Sequence, residues 1–191
     1  MVKRIWLKII VLLLGVAVAV PVIGLSTTLL YQKAYPRSYQ DLVEQYAQAY
    51  GVDPSLVFGI IYCESRFDPQ AQSEVGARGL MQLMEDTFNW AKSRMDQPGE
   101  ETYQDIFDPQ INIQYGTFVL KLLLDEFGDE STAVAAYHAG WGSVKDWLQS
   151  PDHSPEKIEI DNIPFPETKT YVLRVEQARS VYRELYGYKE D

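Results

Sequence analysis

Glu64 is the residue in this chain whose type and position most invite chemistry. It ends the run Asp53-Pro54-Ser55-Leu56-Val57-Phe58-Gly59-Ile60-Ile61-Tyr62-Cys63-Glu64, which predicts a helix. Asp53 suits the N-cap and Pro54 the first helical position, where its missing N–H costs nothing. The apolar stripe of that helix runs Val57, Ile60, Ile61, and the next position on it, i+7 from Val57, is Glu64. A carboxyl on a core-facing stripe is either paired with a cation or held partly protonated by desolvation. The first outcome would be a salt bridge at the domain edge, to Arg66 or Arg78 for example. The second is what a general acid working near neutral pH requires.

The other reactive side chains offer less. Cys63 is the only cysteine, so no intramolecular disulfide can form. The two histidines, His138 and His153, are distant from it in sequence and supply no recognisable nucleophile–base pattern, which leaves Cys63 as a small buried hydrophobe. Two separated histidines and one cysteine do not make a ligand set, so neither metal nor cofactor is expected. There is no Gly-rich phosphate loop and no internal repeat.

The elements that must position Glu64 read as helices. A first helix is predicted from about Ser38 to Tyr50, stopped by Gly51, and the Glu64 helix follows. Phe67 to Arg78 is a loop rich in Pro, Ser and Gly, and Gly79 to about Met95 is expected to be mostly helical. Asp96 to Asp105, with Pro98-Gly99, is loop. Asp108-Pro109 repeats the cap-plus-proline signal and opens a helix to Phe127 before Gly128. Further helices are expected over Ser131 to Ala139, Ser143 to Gln149 and Glu167 to Tyr186, with Ser150 to Pro166 irregular. No run shows sustained period-2 alternation, so the expected class is all-α with about seven helices after an N-terminal membrane helix.

That N-terminal segment has its own logic. After Lys3, Arg4 and Lys8 no charge appears until Lys33, and Ile9 to Leu30 is mostly Val, Leu, Ile and Ala. Such a stretch can span a bilayer, and the cations before it place the N-terminus in the cytoplasm and the rest outside. A cleaved signal peptide is the alternative, since Ala17-Val18-Ala19 resembles a cleavage site. The apolar run continues past it, however, and Pro21 sits close behind, which favours an uncleaved single-pass anchor. A lipoprotein is excluded because no Cys lies near. The division expected is 1–37 for stub, anchor and polar linker (Tyr31 to Arg37), and 38–191 for an exported domain on the extracytoplasmic side of the membrane. All 27 acidic residues follow the anchor, with 14 of the 17 cations, so the exported part carries about −13. That charge argues against nucleic acid and against electrostatic docking on an anionic polymer, and fits an uncharged or mixed-charge substrate such as a polysaccharide.

Four ordered blocks then converge. Glu64-Ser65-Arg66-Phe67-Asp68-Pro69-Gln70-Ala71 with Ser73, Gly76-Ala77-Arg78-Gly79-Leu80-Met81-Gln82-Leu83 and Thr87 resembles the goose-type lysozyme-like domain of the soluble lytic transglycosylase family. Asp108-Pro109-Gln110-Ile111-Asn112-Ile113-Gln114-Tyr115-Gly116, Ala135-Ala136-Tyr137-His138-Ala139-Gly140, and Ile163-Pro164-Phe165-Pro166-Glu167-Thr168 with Tyr171-Val172 and Arg174-Val175 match in order. The resemblance covers about Ser38 to Gly187.

The resemblance implies a lysozyme-like helical fold with Glu64 as the single catalytic acid/base, acting on peptidoglycan glycan strands without a cofactor. Ser73 would bond near the catalytic carboxyl or the substrate's N-acetyl group. Gln82 and Met84 would line the groove, Tyr137 would hold Glu64 or the sugar, and Glu167 and Tyr171 would form the far wall. Each has a plainer role open to it: Ser73 as a turn cap, Met84 as core packing, the tyrosines as helix packing. Two positions depart from the family pattern, His138 in place of Asn and Glu85 in place of Pro. His138 adds a titratable group near the site. The reaction implied is cleavage of the β-1,4 bond between N-acetylmuramic acid and N-acetylglucosamine with a 1,6-anhydromuramyl end. A muramidase on the same scaffold would need a second carboxylate, with Asp68, Glu74, Glu85 and Asp86 at hand. A catalytically silent glycan-binding protein is the remaining alternative.

Overall fold

The computed structural model describes residues 2–149 and 158–188, so His153 and the first part of the segment expected to be irregular lie outside the described residues. The chain divides into two units, Met1–Pro36 and Arg37–Asp191. The first is a single helix, α1 (Val2–Ala34). Its segment Leu13–Ala34, 22 residues, is long and apolar enough to cross a membrane. The hydroxyls of Ser26, Thr27 and Thr28 bond back to the carbonyls of Val22 and Gly24, which satisfies them without water. The polar linker expected from Tyr31 starts later than the sequence suggested, because the helix runs on to Ala34. Nothing in Tyr31-Gln32-Lys33-Ala34 breaks a helix, and Pro36 restricts only the residue before it.

The second unit holds α2 (Gln40–Tyr50), α3 (Pro54–Glu64), α4 (Glu85–Arg94), α5 (Pro109–Phe127), α6 (Glu130–Ala139), α7 (Trp141–Leu148) and α8 (Pro166–Tyr186), with short 3₁₀ turns at Tyr103–Asp105 and Ile160–Asn162. Among the described residues there is no strand, only isolated bridges joining Arg78 to Gln72 and to Leu83. The all-α class and the seven helices therefore stand.

Both predicted cap-plus-proline starts form. The Asp53 carboxylate accepts from the Ser55 N–H at 2.8 Å, and that of Asp108 accepts from Gln110 and Ile111. Asp53 also receives Arg179 at 3.0 Å and Arg183 at 3.3 Å from α8, while Arg179 reaches Glu130 at the start of α6. One arginine of the last helix thus ties the starts of two others.

α3 departs from the stripe read in the sequence. Every residue from Ser55 to Ile61 is buried, so this helix has no solvent face over that span. It lies chiefly against α8, and Gly59 is where the two backbones meet. A Cβ there would stand 3.2 Å from the Arg179 nitrogen and the Val175 oxygen. Glu64 is distinguished by ending a helix that is buried on every side from Ser55 to Ile61.

The second correction concerns Gly79 to Met95, where helix forms only over Glu85–Arg94. Residues 79–84 are a tight turn, with Gly79 at φ +76° and Gln82 at φ +47°. Arg78 and Leu83 exchange backbone hydrogen bonds across it, both 3.0 Å. The buried Asn112 of α5 accepts from the Met81 N–H at 2.7 Å and donates to the carbonyls of Arg78 and Ile106. Tyr103 donates to the carbonyls of Gly76 and Leu83. These long-range bonds outweigh the helical propensity of Leu80-Met81-Gln82-Leu83-Met84.

Candidate active site

Glu64 ends α3 where the backbone turns into the left-handed region at Arg66 and Phe67. Ser65 fastens this corner to the 79–84 turn, its hydroxyl donating to the Leu80 carbonyl at 2.8 Å. From the facing helix α8 the buried Tyr171 donates its phenolic hydrogen to Glu64 Oε1 at 2.6 Å. Burial pushes the Glu64 carboxyl up from 4.5 to about 7, against the opposing pull of the Tyr171 hydrogen bond and the Arg174 charge.

The cations proposed as salt-bridge partners are engaged elsewhere. Arg66 lies over the Tyr62 ring at 3.9 Å and Arg78 over the Tyr103 ring at 4.8 Å. Among the described residues no ion pair reaches Glu64. Desolvation is thus the dominant influence on Glu64, and its proton is poised to leave or stay near neutral pH. Cys63 is half-buried, and burial pushes its thiol up, away from nucleophilic use.

The structure gathers some of the expected site residues around Glu64 and gives others different work. Tyr137 donates to the Met81 carbonyl at 2.8 Å. Burial, and secondly the Glu64 charge, push its phenol well above the ordinary value. His138 stacks on the Tyr171 ring, centroids 4.5 Å apart, with Nδ1 3.1 Å from the Thr168 hydroxyl oxygen. Burial lowers its pKa, while the charge of Glu167, exposed in the first turn of α8, opposes that. His138 therefore meets Glu64 through Tyr171 as intermediary. Met84 is exposed just before α4.

Ser73 and Gln82 serve the loop. The Ser73 hydroxyl accepts from the Ala77 N–H at 3.0 Å, and the Ser73 N–H donates to the Ala77 carbonyl. Gln82 spends its amide nitrogen on the carbonyls of Ala71 and Gly79, which leaves its side-chain oxygen as the part able to meet a ligand. Asp68, Glu74, Glu85 and Asp86 are exposed, and none is among the groups that shift Glu64.

Residues quoted in the matching blocks but given no role there complete the arrangement. Arg174 is one turn along α8 from Tyr171, acts on the Glu64 carboxylate and reaches the Cys63 carbonyl at 3.4 Å. Thr168, buried, holds His138. Asn112 stood in plain view after Asp108-Pro109, but its role needs partners some 30 residues away. The signal that could have found Arg174 was its i+3 spacing from Tyr171.

A cavity of about 540 Å³ opens beside Tyr137 and runs between α4, α5 and α7, past Thr87, Trp90, Leu123 and Trp141. Its size is that of an ordinary ligand cleft. Among the described residues no group of three His, Cys, Asp or Glu side chains is placed to hold a metal ion.

Comparison with known proteins places this geometry. Residues 41–160 match the family described as Transglycosylase SLT domain. The soluble lytic murein transglycosylase of Escherichia coli K12 is 32% identical over 160 residues, 83% of this chain and 25% of that protein. The membrane-bound lytic murein transglycosylase C of Actinobacillus pleuropneumoniae serotype 5b is 31% identical over 169 residues, 76% of this chain and 46% of that protein. Among solved structures, the 70 kDa soluble lytic transglycosylase of Escherichia coli superposes with a TM-score of 0.75 at 33% identity, over 83% of this chain and 26% of that one. An inactive mutant of lytic transglycosylase Slt from Pseudomonas aeruginosa gives 0.74 at 32% identity, over 82% and 25%. The chain thus spans about a quarter of its soluble relatives and under half of the membrane-bound one. With the match running through most of the helical unit, which shares the lysozyme-like architecture of its neighbours, this chain belongs to the transglycosylase SLT domain family.

Proposed function

We propose that this protein is a membrane-anchored peptidoglycan lytic transglycosylase. It would cleave the β-1,4 bond between N-acetylmuramic acid and N-acetylglucosamine with Glu64 as the only acid/base. The observation that carries this reading is the Glu64 carboxyl itself: buried, free of cationic pairing among the described residues, and raised to about 7. Such a group gives and takes a proton at comparable cost, so one residue can serve both halves of the reaction.

In the first half, protonated Glu64 gives its proton to the leaving glycosidic oxygen while the N-acetyl carbonyl of muramic acid assists at C1. The Tyr171 hydrogen bond and the Arg174 charge stabilise the carboxylate that results. In the second half that carboxylate takes the proton from the muramic O6 hydroxyl, which attacks C1 and closes a 1,6-anhydro ring. Glu64 is regenerated in its acid form and no water is consumed. Tyr137 and Tyr171 would flank the sugar, with His138 and Glu167 beyond them, and Ser73, Gln82 and Met84 would form the opposite edge of the groove. The helix α1 would hold residues 38–191 at the outer face of the cell membrane as a single-pass anchor, in line with the membrane-bound relative.

The experiment is mass spectrometry of fragments released from purified peptidoglycan by the full chain in detergent, with Glu64→Gln as control. Anhydromuramyl ends, one water lighter than reducing ends, are expected, with release by the mutant lower by at least ~100-fold. Reducing ends would replace the transglycosylase by a hydrolase. Equal release by a folded Glu64→Gln chain would remove Glu64 from its role.

A further inference from the structure

Where the family pattern has Asn, this chain carries an aromatic ring, His138. It stands in the last turn of α6, just ahead of Ala139 and the Gly140 cap. Thr168 and Tyr171, at i and i+3 on α8, lie on one face of that helix, and α6 packs against it. His138 touches both. Its Nδ1 is 3.1 Å from the Thr168 hydroxyl oxygen, and its ring stacks on that of Tyr171 with centroids 4.5 Å apart and planes 29° apart.

Exposure divides unevenly across this contact. Thr168 and Tyr171 are 2% and 5% exposed, whereas His138 is exposed. The imidazole is therefore the outer cover of a buried phenol. That phenol has a demanding task, because its hydroxyl must stay 2.6 Å from Glu64 Oε1, and hydrogen bonds weaken steeply once distance or angle is lost. Rotation of the tyrosine side chain swings the hydroxyl away, and a ring stacked on its face opposes that rotation. Asn could offer an amide to Thr168 but no aromatic face to the tyrosine.

The charged and titratable neighbours leave His138 one route to Glu64. Glu64 is influenced by Tyr171 and Arg174 of α8, and its own charge acts on Tyr137 of α6 and on Cys63 beside it. His138 is not among the groups that act on Glu64 directly. His138 in turn meets Thr168, Tyr171 and the charge of Glu167, all on α8. Tyr171 is the link that both lists share.

We propose that His138 is a positioning residue for the cleavage reaction: fastened by Thr168, its ring holds the Tyr171 ring so that the phenolic hydrogen stays on Glu64. This rests on the reading of Glu64 as the acid/base. It gives the departure from Asn a function, and it makes the pH range of activity depend on a side chain that does not touch the reacting carboxyl.

The test compares the full chain in detergent with His138→Ala, His138→Phe, His138→Asn, Tyr171→Phe and the double variant His138→Ala/Tyr171→Phe. Two readouts are taken: the pH profile of fragment release from purified peptidoglycan, and a carbon-13 NMR titration of the Glu64 carboxyl, assigned by its loss in Glu64→Gln. The Tyr171 hydrogen bond favours the carboxylate, so loosening it raises the pKa of Glu64. In His138→Ala both the descending limb and the NMR titration should move up by about half a unit, with turnover down about threefold. His138→Phe, which keeps a ring, should restore most of both, and His138→Asn should not. In the Tyr171→Phe background His138→Ala should add no further shift, since the link is already cut. Circular dichroism matched to the parent identifies variants that have folded. An unmoved titration in folded His138→Ala and His138→Asn, or an equal shift with and without the Tyr171 hydroxyl, would overturn the proposal. A raised half-saturating peptidoglycan concentration with the titration unmoved would overturn it in favour of a direct substrate contact. The expected NMR shifts without fragments from any chain would instead bring down the underlying reading of Glu64 while leaving the coupling through Tyr171 in place.

Discussion

At the scale of single residues, the decisive contact is the 2.6 Å hydrogen bond from Tyr171 to Glu64. It favours the carboxylate, as the Arg174 charge does, but burial outweighs both and leaves the group at about 7. An acid raised in this way binds its proton more tightly folded than unfolded, so its contribution to stability falls as pH rises from about 4.5 to about 7. Glu64→Gln, which keeps the shape without the charge, should therefore stabilise the fold by on the order of 2 kcal/mol above about pH 8 and have little effect below about pH 4. Thermal unfolding at the two extremes reads this directly, and equal effects at both would contradict it. Activity should have a descending limb near the same pKa, since the first step needs the protonated form. Tyr171→Phe removes a bond that lowers the pKa. Its limb should move to higher pH by about one unit, with turnover down about tenfold; a limb that moves to lower pH would show that Tyr171 acts otherwise. Glu64 was legible in the sequence because the cap, the proline and the apolar run all locate the end of one helix. The bond from Tyr171, until then expected only in the far wall, and the influence of Arg174 emerged once α8 was laid against α3, a pairing that no local pattern announces.

At the scale of elements, the 79–84 turn shows where sequence reasoning stops. Its residues favour a helix, yet their backbone groups are claimed by Asn112 and Tyr103 from distant parts of the chain. Gly79 is locked into the same arrangement, because a Cβ there would fall 2.1 Å from the Asn112 amide nitrogen. Asn112→Ala should thus cost about 3 kcal/mol, leaving buried N–H and C=O groups unpaired. Urea unfolding of the variant measures this, and a loss below about 1 kcal/mol would mean that water replaces the side chain. Helix starts, by contrast, were legible at Asp53-Pro54 and Asp108-Pro109, where the determinant lies within three residues. The burial of α3 on all sides was not, since its residues look alike whether one face or every face is covered.

At the scale of the whole molecule, the chain is a long apolar helix joined to a helical unit with its own core. Removing residues 1–36 should shift the protein from the membrane to the soluble fraction with its helical circular dichroism retained. A truncated chain that unfolds would show that the two units depend on each other. The helical unit is closed by α8, which contributes Tyr171 and Arg174 beside Glu64, covers α3, and sends Arg179 to the beginnings of α3 and α6. Glu64 and its tyrosine are 107 positions apart. A ribosome therefore completes every other helix of the site before it makes the one that tunes the carboxyl. While the chain is being made, Glu64 exists without the tyrosine that bonds it, and the carboxyl takes on its final surroundings only after α8 has been added.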